Sequence, residues 1–123
     1  MTPTILVIED DATSRLLMAR LLRFEGYETL SAGNGEQALE MLGFMKPALI
    51  LLDLMMPVMD GLEFLKILRK NYQWANVPVI IWTATVMECP SLREVRLLGV
   101  KDCFQKSHCT LDQLYTSIRR HAA

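Results

Sequence analysis

Residues 5–11 read Ile-Leu-Val-Ile-Glu-Asp-Asp: four apolar side chains, three of them β-branched, running without alternation into three acids. A run this short and unalternating is the pattern of a strand covered on both faces. The pattern recurs: Ala48–Leu52 runs into Asp53, and Val79–Trp82, opened by Pro78, runs into Thr83. Between these runs the apolar period is helical. Residues 13–25 carry Leu17, Met18, Leu21 and Leu22 as the expected inward stripe, and Gly26 stops that helix. Tyr27–Ala32 is a weaker strand whose polar residues place it at a sheet edge. Asn34 caps a helix through Leu42, with Ala38, Leu39 and Leu42 facing inward. Leu54–Gly61, holding Pro57 and Gly61, is expected as a loop, and residues 62–71 as a helix. A further helix is expected over about residues 90–98, starting near Pro90 or Ser91 and ending at Gly99. Asp102–Gln105 is a short fifth strand followed by Lys106, and Thr110 or Asp112 opens a last helix through about His121. Strands alternating with helices in this way imply an α/β, doubly wound parallel sheet with helices on both faces.

The chain has 123 residues, 51% hydrophobic and 22% charged. That predicts one domain over residues 1–123 with a self-sufficient core, and it excludes disorder. Thirteen basic and fourteen acidic residues leave a net charge of −1, which gives no electrostatic case for nucleic-acid binding. No apolar run approaches the ~20 residues that span a bilayer. The start, MTPTILVIEDD, turns acidic straight after its apolar run and does not read as a signal peptide. Cys89, Cys103 and Cys109 are odd in number and lack metal-ligand spacing, so they are expected as reduced thiols in a cytoplasmic protein.

In doubly wound sheets ligands bind beyond the carboxyl ends of the strands. The residues there are Glu9, Asp10 and Asp11 after the first strand, Asp53 after the third, Thr83 after the fourth and Lys106 after the fifth. Converging carboxylates repel and call for a cation, and an all-oxygen set favours Mg²⁺. A lysine and a hydroxyl beside them suit an anion such as a phosphoryl group. Any one strand-end acid reads as a solvated cap; carboxylates, threonine and lysine ending four strands together do not.

With their flanks, these strand ends resemble the receiver domain of two-component response regulators, over essentially the whole chain. ILVIEDD resembles the family's first strand with its acidic pair, ILLDLMMPVMDG its phosphoacceptor segment, VPVIIWTA its fourth strand and LGVKDCFQK its fifth. The resemblance implies a flavodoxin-like, five-stranded parallel sheet in the order 2-1-3-4-5 with five helices. It implies a phosphoacceptor signalling module, not an enzyme, that assists its own phosphorylation and dephosphorylation. Asp53 is then the phosphorylated residue; Glu9, Asp10, Asp53 and the Met55 carbonyl hold Mg²⁺; Thr83, the Ala84 N–H and Lys106 hold the phosphoryl group. The implied partners are a sensor histidine kinase or phosphotransfer protein, and downstream a protein target or an effector domain.

Two positions depart from the family pattern. Three residues before the lysine the family carries an aromatic, and here stands Cys103, a small thiol with no ring to rotate. The neighbouring Phe104 points to the opposite face of the strand and is no substitute. After the lysine the family commonly has proline, and here stands Ser107, expected with a trans bond. The resemblance places Met55 and Thr85 at positions that tune phosphoryl lifetime in the family, and as an apolar and a short residue they predict a fairly long-lived phosphoaspartate. Leu16, Arg20 and Phe24 share one line of the first helix and are a candidate partner surface. His108 and His121 are expected to be solvated. Two other readings have less support. An aspartate-nucleophile phosphatase needs a general acid where Met55 stands, and a pseudo-receiver scaffold does not need the full set of Glu9, Asp10, Asp53, Thr83 and Lys106.

Overall fold

The computed structural model describes residues 2–84 and 92–122. Five parallel strands, β1 (Thr4–Ile8), β2 (Glu28–Ala32), β3 (Leu49–Leu52), β4 (Val79–Thr83) and β5 (Asp102–Gln105), form one sheet in the order β2-β1-β3-β4-β5. Helices α1 (Ala12–Phe24), α2 (Gly35–Leu42), α3 (Gly61–Lys70), α4 (Leu92–Leu97) and α5 (Leu111–His121) connect them or follow them. The α/β doubly wound fold and its strand order are as expected, with β2 at an edge.

The two sheet faces bury separate cores. Ile5, Val7, Leu49, Leu51 and Ile80 pack against Met18 and Leu22 of α1 and Leu114, Tyr115 and Ile118 of α5. Leu6, Ile8, Ile50, Leu52, Val79 and Ile81 pack against Ala38 and Leu42 of α2, Phe64, Leu65 and Leu68 of α3 and Val95 of α4. Every residue of β3 is buried, which explains its unalternating sequence. Each such side chain contributes about 1.5–3 kcal/mol on burial.

The helix starts carry local signals. Asn34 accepts from the Gln37 N–H at 2.8 Å, and Asp60 from the Glu63 N–H at 2.9 Å. Thr110 and Gln113 form a reciprocal capping box at the start of α5. Gly61, expected as the last loop residue, is instead the first residue of α3. A Cβ there would lie 2.7 Å from the Asp53 carbonyl oxygen, so only glycine lets α3 start this close to the end of β3. Arg69 ties the other end of α3 to its neighbours, donating to the carbonyls of Leu98 at 2.8 Å, Ala75 at 3.0 Å and Val77 at 2.7 Å.

Other expectations need correction. Leu17 is 56% exposed, while Met18, Ala19 and Leu22 are buried and Leu21 is half-buried. Met18 and Leu22 join the core on the α1–α5 face, and Leu17 lies outside that stripe. His121 is not solvated: it is half-buried, with Nε2 3.9 Å from Asp102 Oδ2, and Ser117 donates to the same carboxylate oxygen. His108 is exposed, and its Nδ1 lies 2.8 Å from the Ser107 hydroxyl. A short 3₁₀ turn, Lys106–His108, stands where only a loop was expected. No peptide bond among the described residues is cis, so the Lys106–Ser107 bond is trans as expected. The expected start of α4 near Pro90 or Ser91, together with Thr85 and Cys89, lies outside the described residues.

Candidate functional site

The parallel ladder aligns the strand ends. Ile8 is in register with Ala32 and with Leu52, and Leu52 with Ile81. Pairing continues one residue past β1 and β3: the Glu9 N–H donates to the Ala32 carbonyl at 3.1 Å and the Asp53 N–H to the Ile8 carbonyl at 3.0 Å. Glu9 and Asp53 are thereby held at one level, buried to 6% and 5% exposure, and Thr83 is fully buried. Asp10 is exposed on the rim above them.

Four groups donate to the two buried carboxylates. The Thr83 hydroxyl donates to Asp53 Oδ1 at 2.7 Å, and the Met55 N–H donates to the same oxygen at 3.2 Å. Lys106 Nζ donates to Glu9 Oε2 at 2.6 Å and stands 3.9 Å from Asp53 Oδ2. The Asp11 N–H donates to Glu9 Oε1 at 3.2 Å. At rest, therefore, the lysine sits on Glu9 more closely than on Asp53. Burial raises the Glu9 carboxyl above its ordinary value; the hydrogen bond from Lys106 opposes this, and the charge of Asp53 adds to it.

Glu9, Asp10 and Asp53 each bring a carboxylate oxygen within 4.8 Å of the others. Two of these carboxylates, Glu9 and Asp53, are buried, and within the cluster only the Lys106 ammonium pairs with them. The donor atoms are all oxygen, which suits a hard divalent cation. The residues present thus fit a Mg²⁺ site.

The remaining expected positions are distributed around this centre. Met55 is 60% exposed at the lip, and Ala84 is exposed beyond Thr83. Cys103 is half-buried beside Ile81 and packs into the core on the α2–α4 face, whereas Phe104 faces the α1–α5 side, as expected from strand alternation. On α1, Leu16 is 52% and Phe24 93% exposed, and Arg20 is exposed between them. Exposed Leu17 widens this apolar face, an addition that the sequence reading assigned to the core. Sequence reading also missed Arg15, whose Nη1 donates to the Glu9 carbonyl at 2.7 Å. Its place five residues after Asp10 was the available signal.

Comparison with known proteins identifies the family of this fold. The family model of the response regulator receiver domain matches residues 5–119. The chain is 35% identical over 121 residues to the sporulation initiation phosphotransferase F of Bacillus subtilis, covering 98% of this chain and 94% of that protein. It is 39% identical over 84 residues to the DNA-binding response regulator MtrA of Mycolicibacterium paratuberculosis, covering 68% of this chain but only 36% of that longer protein. Among solved structures, a response regulator receiver protein from Pseudomonas putida superposes with a TM-score of 0.90 at 25% identity, covering 98% of each chain. The receiver domain of the Francisella response regulator 1452 superposes with a TM-score of 0.84 at 30% identity, covering 98% of this chain and 97% of that one. Among the described residues no helix is long and apolar enough to cross a membrane. The chain belongs to the response regulator receiver domain family and is a receiver domain of two-component phosphorelay signalling.

Proposed function

We propose that Asp53 is the phosphoacceptor and takes its phosphoryl group from the phosphohistidine of a sensor kinase or phosphotransfer protein. The observation that carries this reading is the convergence on one buried carboxylate of a hydroxyl, a backbone N–H, an ammonium and two further acids. A carboxylate is a weak nucleophile, so transfer to it rests on position and charge neutralisation. Asp53 Oδ1 already accepts two hydrogen bonds. Oδ2 is left as the more nucleophilic oxygen. It forms the new P–O bond as the P–N bond breaks, and the donor imidazole leaves with the electron pair and takes up a proton.

Glu9, Asp10, Asp53 and the Met55 carbonyl would hold Mg²⁺, which supplies charge neutralisation for the crowded oxygens. Thr83, the Ala84 N–H and Lys106 then hold the phosphoryl oxygens, Lys106 by a short swing from Glu9. Met55 shields the product from water, and with Thr85 favours a long-lived phosphoaspartate. The domain acts as a cytoplasmic switch and not as an enzyme with a separate substrate, although it assists its own phosphorylation and dephosphorylation. The α1 face of Leu16, Arg20 and Phe24 receives the phosphoryl donor. Output passes to a downstream protein or an effector domain, with Cys103 in place of the usual ring.

Acetyl phosphate with Mg²⁺ is expected to add one phosphoryl group by intact mass, and Asp53→Asn to abolish the addition. Stoichiometric labelling of Asp53→Asn at another residue overturns the assignment. A wild-type protein that takes no label favours a pseudo-receiver scaffold that works by binding alone.

A further inference from the structure

The three acids of the cluster are not held alike. Glu9 is pinned through its carboxylate by Lys106 and the Asp11 N–H. Asp53 is pinned through its carboxylate by Thr83 and the Met55 N–H. The exposed Asp10 carboxylate accepts no hydrogen bond among the described residues. Its direction therefore depends on its own backbone, and that backbone is held by Arg15. The half-buried Arg15 donates from Nη1 to the Glu9 carbonyl at 2.7 Å and, in a longer contact of 3.4 Å, to the Asp10 carbonyl. Two successive peptide planes flanking Asp10 are thus tied to one guanidinium, and these planes set the φ and ψ that aim its Cβ.

The choice of carbonyls is informative. Three carboxylates lie close by, yet Arg15 forms no ion pair among the described residues. Its hydrogen bonds go to main-chain oxygens, so the guanidinium does not cover the Asp10 carboxylate. The end of β2 makes room for it. A Cβ on Gly33 would lie 3.3 Å from Arg15 Nη1 and 3.3 Å from Gln37 Oε1, tighter than ordinary contact. Gly33 is fixed in turn, its N–H donating to Gln37 Oε1 at 2.8 Å. The preceding Ala32 carbonyl accepts the Glu9 N–H at 3.1 Å.

We propose that Arg15 is a positioning residue for the cation site: it fixes the Glu9–Asp10 backbone so that the otherwise unheld Asp10 carboxylate points at the position a divalent cation takes. This rests on the reading of Glu9, Asp10 and Asp53 as the cation site. Hydrogen-bonded groups behind a ligand typically change metal affinity by roughly tenfold or more when removed.

The test is a Mg²⁺ titration of wild type, Arg15→Ala and Arg15→Lys, followed by tryptophan fluorescence, since Trp82 lines a small pocket together with Glu9 and Asp53, and by calorimetry. Melting temperature is measured on each protein without added metal. Arg15→Ala is expected to bind Mg²⁺ about tenfold more weakly, Arg15→Lys to recover part of that loss, and the melting temperatures to stay close together. Equal affinities overturn the proposal. Tighter binding by Arg15→Ala also overturns it, because the guanidinium would then act only as a repelling charge. A loss of affinity that tracks a large drop in melting temperature, with no recovery in Arg15→Lys, reduces Arg15 to a structural part and overturns it too. A wild-type protein with no response to Mg²⁺ is a distinct failure: it removes the cation site itself and the proposal with it.

Discussion

The ends of β1, β3 and β4 and the edge strand β5 face the same chemistry but are built differently. Every residue of β3 is buried, and the groups at the strand ends are cross-linked: Thr83 to Asp53, Met55 to Asp53, Lys106 to Glu9. Along β5 every residue is only partly buried, and the side chain aimed at the α4 face is the thiol of Cys103. The first region holds its polar groups in fixed relation, as the phosphoryl transfer proposed for Asp53 would demand. The second places a small thiol, not a ring, beside Ile81.

The largest expected contrast is in stability. Leu52 is fully buried directly before Asp53, and Leu52→Ala is expected to cost about 3 kcal/mol. Cys103→Ala is expected to cost about 1 kcal/mol or less. Urea midpoints on both variants measure the difference, and comparable losses would break the contrast between a rigid rim and a lax edge.

A smaller effect sharpens the rim itself. Asp10→Asn is expected to weaken Mg²⁺ binding about tenfold, and Glu9→Gln only a few-fold, because the Glu9 carboxylate is already occupied by Lys106 and the Asp11 N–H. Equal or reversed losses in Mg²⁺ titrations would refute this order. The same titrations carry a pH signature. Glu9 is raised above its ordinary value chiefly by burial, so the folded protein binds its proton more tightly than the unfolded chain does. The stability this group contributes is complete at low pH and is lost as pH rises through its raised value. A cation offsets that loss, so Mg²⁺ is expected to raise the melting temperature more at pH 7 than at pH 5.

The smallest expected effect tests the edge. Amide hydrogen exchange with beryllofluoride and Mg²⁺ is expected to change along α4, Leu92–Leu97, and little at Cys103. Cys103→Tyr is expected to enlarge the α4 change by restoring a ring beside Ile81. An unchanged response would show that a missing ring is not what limits this scaffold.

The fold was legible because each buried strand announces itself twice, by an unalternating apolar run and by the polar residue at which the run stops. Ile5–Ile8 before Glu9, Leu49–Leu52 before Asp53 and Val79–Trp82 before Thr83 all follow that rule. The α1 stripe was misread at Leu17 because helical period alone does not say which apolar side is drawn onto the sheet; Met18 and Leu22 are, and Leu17 is not. His121 was misread because its partner, Asp102, belongs to a different element and no spacing encodes the pair.

By itself the sequence determined the α/β order and the identity of the groups at the carboxyl rim, since both follow from local period and from where each strand ends. Tertiary structure alone decided how those groups divide their contacts. Lys106 settles closer to Glu9, 97 residues away, than to Asp53, and Arg15 takes main-chain carbonyls rather than a carboxylate. That leaves Asp10 as the one acid of the three without a side-chain hold. The physical reason is that charge pairing depends on distances of a few ångströms across the sheet, and only the packed register of β1, β3 and β5 sets them.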